Sequence, residues 1–165
     1  MAQVDIIDRQ LDPIAGWLRS YARRQPGCRA LMAHLYGVGA LTAPAILAEL
    51  GDVRRFANGD AVVRHTGLDI TVYSSDNKRS PGHLSRQGSP VLRWALFEAA
   101  KSAARPGSPD HGYYQRVKAR TSPDRAVSVA RKLVRRARHL LASLGDDALA
   151  AVDHLPVPTS LPLAA

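Results

Sequence analysis

At Asp12-Pro13, Ser89-Pro90, Ser108-Pro109 and Ser122-Pro123 a helix-capping side chain stands directly before a proline that opens a helical pattern. A Ser or Asp side chain accepts from the free N–H groups of a helix start, and Pro fits the first helical position because its missing N–H costs nothing there. Each pair precedes a run of apolar residues at helical spacing, so the chain reads as a succession of short helices. The periodicity predicts helices at about 13–24, 27–36, 40–50, 59–66, 90–104, 109–119 and 123–144. The last is the clearest: Leu133, Ala137, Leu140 and Leu144 recur at helical spacing, and Val127, Val134 and Leu141 broaden the stripe. Arg131, Arg135 and Arg138 line one flank, with Lys132 and Arg136 beside them, and Gly145 supplies a stop. Aromatic residues make up only 5% of the chain, so the core is aliphatic, which favours packed helices over a β-sandwich.

The fold class that follows is mainly α, a compact multi-helix domain. Residues 67–88 break the pattern: they have no helical period and many loop formers, and Ile70, Val72 and Tyr73 suit a short strand or hairpin. Residues 1–25 begin inside an amphipathic pattern (Val4, Ile7, Leu11) and read as the end of a longer linker helix. Residues 26–145 read as the domain. Residues 146–165, with Pro156, Pro158 and Pro162 and no apolar period, read as a disordered tail.

Charge is concentrated. Residues 101–138 carry eleven Lys and Arg against two acids, Asp110 and Asp124, and so hold a net charge equal to the +9 of the whole chain. A basic block of this kind suits a polyanion, and nucleic acid is the expected partner. The lone Cys28 excludes an internal disulfide, points to a reducing compartment, and is expected to be a small buried hydrophobe. No apolar run reaches the ~18–20 residues that span a bilayer, so a soluble cytoplasmic protein without membrane contact is expected. The six histidines lack ligand spacing and no carboxylate cluster suits a two-metal nuclease, so no metal site is expected in this chain.

Two motifs carry chemistry. Gly37-Val38-Gly39, framed by Leu31, Leu35, Ala43, Ile46 and Leu47, joins two predicted helices in a helix-hairpin-helix pattern. Free N–H groups at such a turn can hold a DNA phosphate without reading sequence; the alternative is a plain helix–helix turn. The second motif is the irregular segment with Ser74 and Ser75. A serine hydroxyl needs a base, a metal or cationic donors to become a nucleophile. Lys78, Arg79, Arg86 and Arg93 follow closely and could bind phosphate oxygens, an arrangement that suits phosphoryl transfer, although Ser-Ser-Asp-Asn is also ordinary turn composition. Arg131 and Arg135 join these as candidate nucleic-acid contacts, and Tyr113-Tyr114 could stack on bases or pack on the basic helix.

The motifs also come in a recognisable order. Tyr36-Gly37-Val38-Gly39 is followed by Ala45-Ile46-Leu47-Ala48-Glu49-Leu50-Gly51-Asp52, Arg55-Phe56, Gly67-Leu68-Asp69 and Tyr73-Ser74-Ser75. Then come Gly82-His83-Leu84-Ser85-Arg86-Gln87-Gly88, Leu92-Arg93-Trp94-Ala95-Leu96, Ala99-Ala100, Tyr113-Tyr114 and Ala130-Arg131-Lys132-Leu133. Over about residues 28–145 this series resembles the C-terminal domain of the transposases of insertion sequences 110, 116 and 902. The resemblance implies an N-terminal RuvC-like domain, absent here, that binds divalent metal (Mg²⁺) through four acidic residues. It implies a C-terminal serine that attacks a DNA phosphate and forms a phosphoserine link, a guide RNA, and a homo-oligomer. The matching serine is Ser75, with Ser74 one residue away. Ile70 stands where the family often has Pro, and Asp76 where it often has Gly, where an acid repels an approaching phosphate. Without the metal-binding half, the chain by itself is expected not to cut DNA. The competing reading is a non-catalytic helix-hairpin-helix module that grips a nucleic-acid backbone, and a third is a decayed reading frame.

Overall fold

The structure is a computed structural model that describes residues 2–70, 73–75, 78–80, 84–120 and 125–152. Among the described residues seven helices carry the fold: α1 (Ala2–Arg24), α2 (Pro26–His34), α3 (Thr42–Leu50), α4 (Gly59–Thr66), α5 (Pro90–Lys101), α6 (His111–Arg120) and α7 (Arg125–Leu144). Between α4 and α5 lie two short strands, β1 (Tyr73–Ser75) and β2 (Lys78–Ser80). Short 3-10 turns occur at Val53–Arg55, Ser102–Ala104 and Gly145–Leu149. The expected mainly helical class is what the chain adopts.

α7 is the axis of the molecule and packs against α2, α4, α5 and α6. Its buried stripe, which includes Val129, Leu133, Val134, Ala137 and Leu141, meets Leu92, Leu96 and Ala99 of α5 and Val62 and Val63 of α4 in a single aliphatic core. The helix stops where expected, because Gly145 takes φ 59°, a left-handed conformation costly for any residue with a Cβ.

The capping pairs meet different fates. Ser89 caps α5 as predicted, its hydroxyl accepting from the Leu92 N–H at 3.3 Å with Pro90 at the first position. Asp12-Pro13 does not start a helix. α1 begins at Ala2 and carries Pro13 inside it. The apolar spacing Ile7, Leu11, Ile14, Leu18 runs through the proline at helical period, and the helix continues across it. Ser108 accepts from the Asp110 N–H at 3.2 Å, and α6 starts two residues later than predicted. Ser122-Pro123 lies outside the described residues. A cap that the reading passed over, Gln25 before Pro26, starts α2: its Oε1 accepts from the Cys28 N–H at 2.8 Å.

Gln25 also corrects the expected tail. Its Nε2 donates to the Ala148 carbonyl at 2.8 Å, and a Cβ on Gly27 would collide with that same carbonyl. Residues 145–149 therefore form an ordered 3-10 turn against α2 and α7, where disorder was expected from residue 146. The polar composition of Gly-Asp-Asp hid one buried side chain, Ala148, and one buried amide donor aimed at the backbone. Residues 153–165 lie outside the described residues.

Candidate functional site

The site begins with how the serine-bearing segment is mounted. α4 ends in Gly67 at φ 67°, a left-handed cap, and the chain leaves the helical body there. It returns at Gly88, and the two glycines meet backbone to backbone. A Cβ on Gly67 would stand 2.7 Å from the amide nitrogens of Gln87 and Gly88, and one on Gly88 would collide with the His65 carbonyl. Pairing continues outward. Arg86 N donates to Gly67 O and Ser85 N to Asp69 O, each at 3.0 Å, and Ile70 bridges Leu84 in antiparallel sense. The Ser85 hydroxyl donates to the Asp69 carboxylate. Farther out, β1 pairs with β2 in the register Tyr73 with Ser80, Ser74 with Arg79 and Ser75 with Lys78. The short strand expected near Tyr73 is thus one arm of a hairpin, and the register puts Ser75 opposite Lys78 along the backbone. Val72, Asp76 and His83 lie outside the described residues.

Arginines brace this stem. Arg93, on the first turn of α5, donates to the carbonyls of Gly88 and, at 3.4 Å, Thr66, one on each side of the pinch. Arg131 of α7 donates to the Leu68 carbonyl. Farther along α7, Arg135 pairs with Asp60 at 2.8 Å and Arg138 donates to the Phe56 carbonyl at 2.6 Å. The flank of arginines on α7 therefore faces the 56–68 segment and supplies donors to it. Arg86 differs: its backbone takes φ 52°, and its exposed side chain has no partner among the described residues. Beside the stem, Asp60, Asp69, Ile70, Arg64, Arg131 and Arg135 line an open groove of about 340 Å³.

The glycine turn lies at the far end of α5. Gly37 takes φ 90°, and a Cβ there would collide with the Ala99 carbonyl and stand 2.8 Å from the Ser102 hydroxyl. Val38 is buried. Gly39 is unconstrained, with nothing within 4 Å of a Cβ; its N–H donates to the Thr42 hydroxyl at 2.9 Å, and that hydroxyl donates back to its carbonyl at 3.2 Å. The two glycines, equivalent in sequence, do different jobs. Since α5 has twelve residues, the turn and the hairpin stem stand roughly 18 Å apart along its axis, at 1.5 Å per residue.

The remaining sequence candidates sort cleanly. Cys28 is buried, and burial pushes its thiol up to about 12. Tyr113 and Tyr114 pack on the core, with Lys132 Nζ 4.9 Å from the Tyr113 ring centre. What the reading missed is the role of Asp110. This carboxylate is buried and accepts from Lys132 at 2.6 Å and Arg136 at 2.7 Å, tying the start of α6 to α7. The i, i+4 spacing of Lys132 and Arg136 was visible, but only the fold brings the acid to them. Among the described residues, no three His, Cys, Asp or Glu side chains gather as a metal ion would need, and no helix is long and apolar enough to cross a membrane.

The chain is 30% identical over 88 residues to the transposase for insertion sequence element IS1111A of Coxiella burnetii, which covers 53% of the chain and 24% of that protein. It is 23% identical over 103 residues to a probable family 20 transposase of Pseudomonas aeruginosa, covering 62% of the chain and 30% of that protein. The chain thus spans less than a third of the length of either relative. Residues 29–115, just over half the chain, match the family described as Transposase IS116/IS110/IS902. The matched stretch runs from α2 through the glycine turn and the serine hairpin into α6, and by that match the chain belongs to the IS116/IS110/IS902 family of transposases.

Proposed function

We propose that this chain is the serine-bearing part of a DNA transposase, with Ser75 as the nucleophile that forms a phosphoserine link to the cut strand. The observation that carries the reading is the mounting of the hairpin. The family match encloses it, both its ends are locked by backbone contact at Gly67 and Gly88, and its register sets Ser75 opposite Lys78. Such a loop, carried by a rigid body, is where a reactive group meets a large substrate. In the step itself the serine oxygen bonds to phosphorus and the bond from phosphorus to a deoxyribose oxygen breaks. The hydroxyl proton passes to a base and the leaving oxygen takes one up. Cations opposite and beside the serine stabilise the charge gathered on the phosphate. Arg93 and Arg131, whose donors meet carbonyls of the stem, hold the hairpin in place.

The described residues do not fit a divalent metal. The Mg²⁺ expected for the family would be held by a RuvC-like domain outside these 165 residues. A guide RNA and an oligomer are part of the same reading. A helix-hairpin-helix contact to backbone phosphate at the Gly37 turn, which the non-catalytic alternative shares, has to use N–H groups other than those of Val38 and Gly39, which donate within the turn.

The test is a denaturing gel of the complete transposase with labelled DNA. Ser75→Ala should abolish the covalent protein–DNA adduct and leave nucleic-acid binding nearly intact, while Ser74→Ala should keep the adduct. Loss in Ser74→Ala alone moves the nucleophile by one residue. An adduct in both variants refutes the serine mechanism, and binding without any adduct in the unsubstituted enzyme favours the non-catalytic module.

A further inference from the structure

The fold divides the basic block at 101–138 into two populations. On α7, the side chains of Arg131, Lys132, Arg135, Arg136 and Arg138 all reach acceptors within the protein: Leu68, Asp110, Asp60 and Phe56. Lys101 pairs with Glu98. Arg105, Arg116, Lys118 and Arg120 are exposed and have no partner among the described residues. Three of these four stand on α6, whose sequence contains no acid and which buries none of its residues.

A helix this polar and this exposed needs a reason to stay folded and in place. α6 is held by Asp110 at its start, which grips Lys132 and Arg136, and by the half-buried Tyr113, Tyr114 and Val117 on the side facing the core. With that side fixed, helical periodicity sets Arg116 and Arg120 one turn apart on one flank and Lys118 on the other. Exposed Gly112, Gln115 and Ala119 form the ridge between them. Charged side chains flanking a low ridge suit a ribbon of phosphates.

The surface continues to the glycine turn. Gly37 lies against Ala99 and Ser102, and a Cβ on Gly107 would stand 4.0 Å from the Tyr36 hydroxyl. Arg105 falls between Ser102 and Gly107 in the chain, so the turn, Arg105 and the start of α6 adjoin.

We propose that α6 and Arg105, continuous with the Gly37 turn, form the surface that holds the phosphodiester backbone of a nucleic-acid duplex, and that the α7 cations are internal struts. The inference rests on the nucleic-acid reading above and gives it an address. The surface lies at the C-terminal end of α5 and the serine hairpin at its N-terminal end. A strand held there is gripped roughly 18 Å along the α5 axis from the stem on which the serine hairpin is mounted.

The test measures affinity of this chain for short labelled DNA and RNA duplexes of equal length across a salt series. Each lost phosphate contact on duplex DNA lowers the log–log salt slope by ~0.9. The triple variant Arg116→Ala/Lys118→Ala/Arg120→Ala should therefore lose about 2–3 in slope, with an unchanged melting temperature because these side chains have no partner among the described residues. Arg135→Ala should keep the full slope and melt lower. Loss on the DNA duplex, the RNA duplex or both supports the surface and identifies the acid it serves. An unchanged slope in the triple variant, with the parent chain binding normally, overturns the α6 assignment alone. A parent chain that binds neither duplex overturns the nucleic-acid reading and the assignment with it.

Discussion

Replacing Gly37 and Gly39 by alanine, one at a time, should separate two residues that sequence pattern treats alike. At Gly37 an alanine must adopt φ 90° and push its Cβ into the Ala99 carbonyl and the Ser102 side chain. A left-handed non-glycine residue costs of order 1–3 kcal/mol, and forcing a carbon into filled space costs typically 1–3 kcal/mol. The obstruction includes backbone of α5, which cannot yield without moving a core helix, so the two add to about 2–6 kcal/mol. For a domain of this size each kcal/mol lowers Tm by ~2–4 °C, which gives a drop of roughly 5–25 °C. At Gly39 the added carbon meets nothing within 4 Å and φ is not positive. Gly39→Ala should therefore stay within ~0.5 kcal/mol, or gain slightly by restricting the unfolded chain. Thermal melts followed by circular dichroism decide the matter. Two variants that melt together, whether both low or both unchanged, would refute the assignment of turn geometry to Gly37 alone.

Asp110→Ala leaves Lys132 and Arg136 without their shared acceptor and should cost about 1–3 kcal/mol, less than a fully buried pair because both cations are partly exposed. The loss should shrink as salt screens the two cations, and a loss independent of salt would point to packing instead. Arg93→Met removes donors to Thr66 and Gly88 and should lower stability by about 1–3 kcal/mol while duplex affinity holds within about twofold. Affinity that collapses with stability unchanged would return Arg93 to the phosphate. Cys28 should resist thiol reagents until the chain unfolds. Its raised pKa also sets a direction: below the ordinary thiol range both states keep the proton and the contribution to stability is full. As pH climbs from about 9 toward 12 the unfolded thiol ionises first, so the unfolded state binds fewer protons and stability falls. Cys28→Ala should flatten that decline, and an identical alkaline profile would exclude the thiol as its cause.

The helices were legible because their information is local. Ser89-Pro90 and the stripe through Leu133, Ala137 and Leu140 each specify a cap or a face within a few residues. What escaped the reading depends on distance in the chain. Asp110 meets Lys132 and Arg136 over more than twenty residues, and Gln25 meets Ala148 over 123. Nothing in the local composition of Gly-Asp-Asp at 145–147 announces an ordered turn. The candidate site shows the same limit. Arginine beside a serine suggests phosphate chemistry, and the residue types alone cannot say that Arg93 and Arg131 reach carbonyls instead. Helical spacing placed the arginines of α7 on one flank correctly, but which flank meets α4 is a tertiary fact.

The meeting of Gly67 with Gly88 makes the path from α4 to α5 nearly direct, whatever the length of chain spliced between them. The helical body is closed before the intervening twenty residues are counted. Doubling the length of such an excursion costs only about 0.6 kcal/mol in closure entropy, so a change of length between Gly67 and Gly88 adds little to a closure that the glycine contact already makes. The hairpin is in effect an exchangeable cassette. A body of this kind can have that segment lengthened, shortened or replaced by a tight turn and still fold.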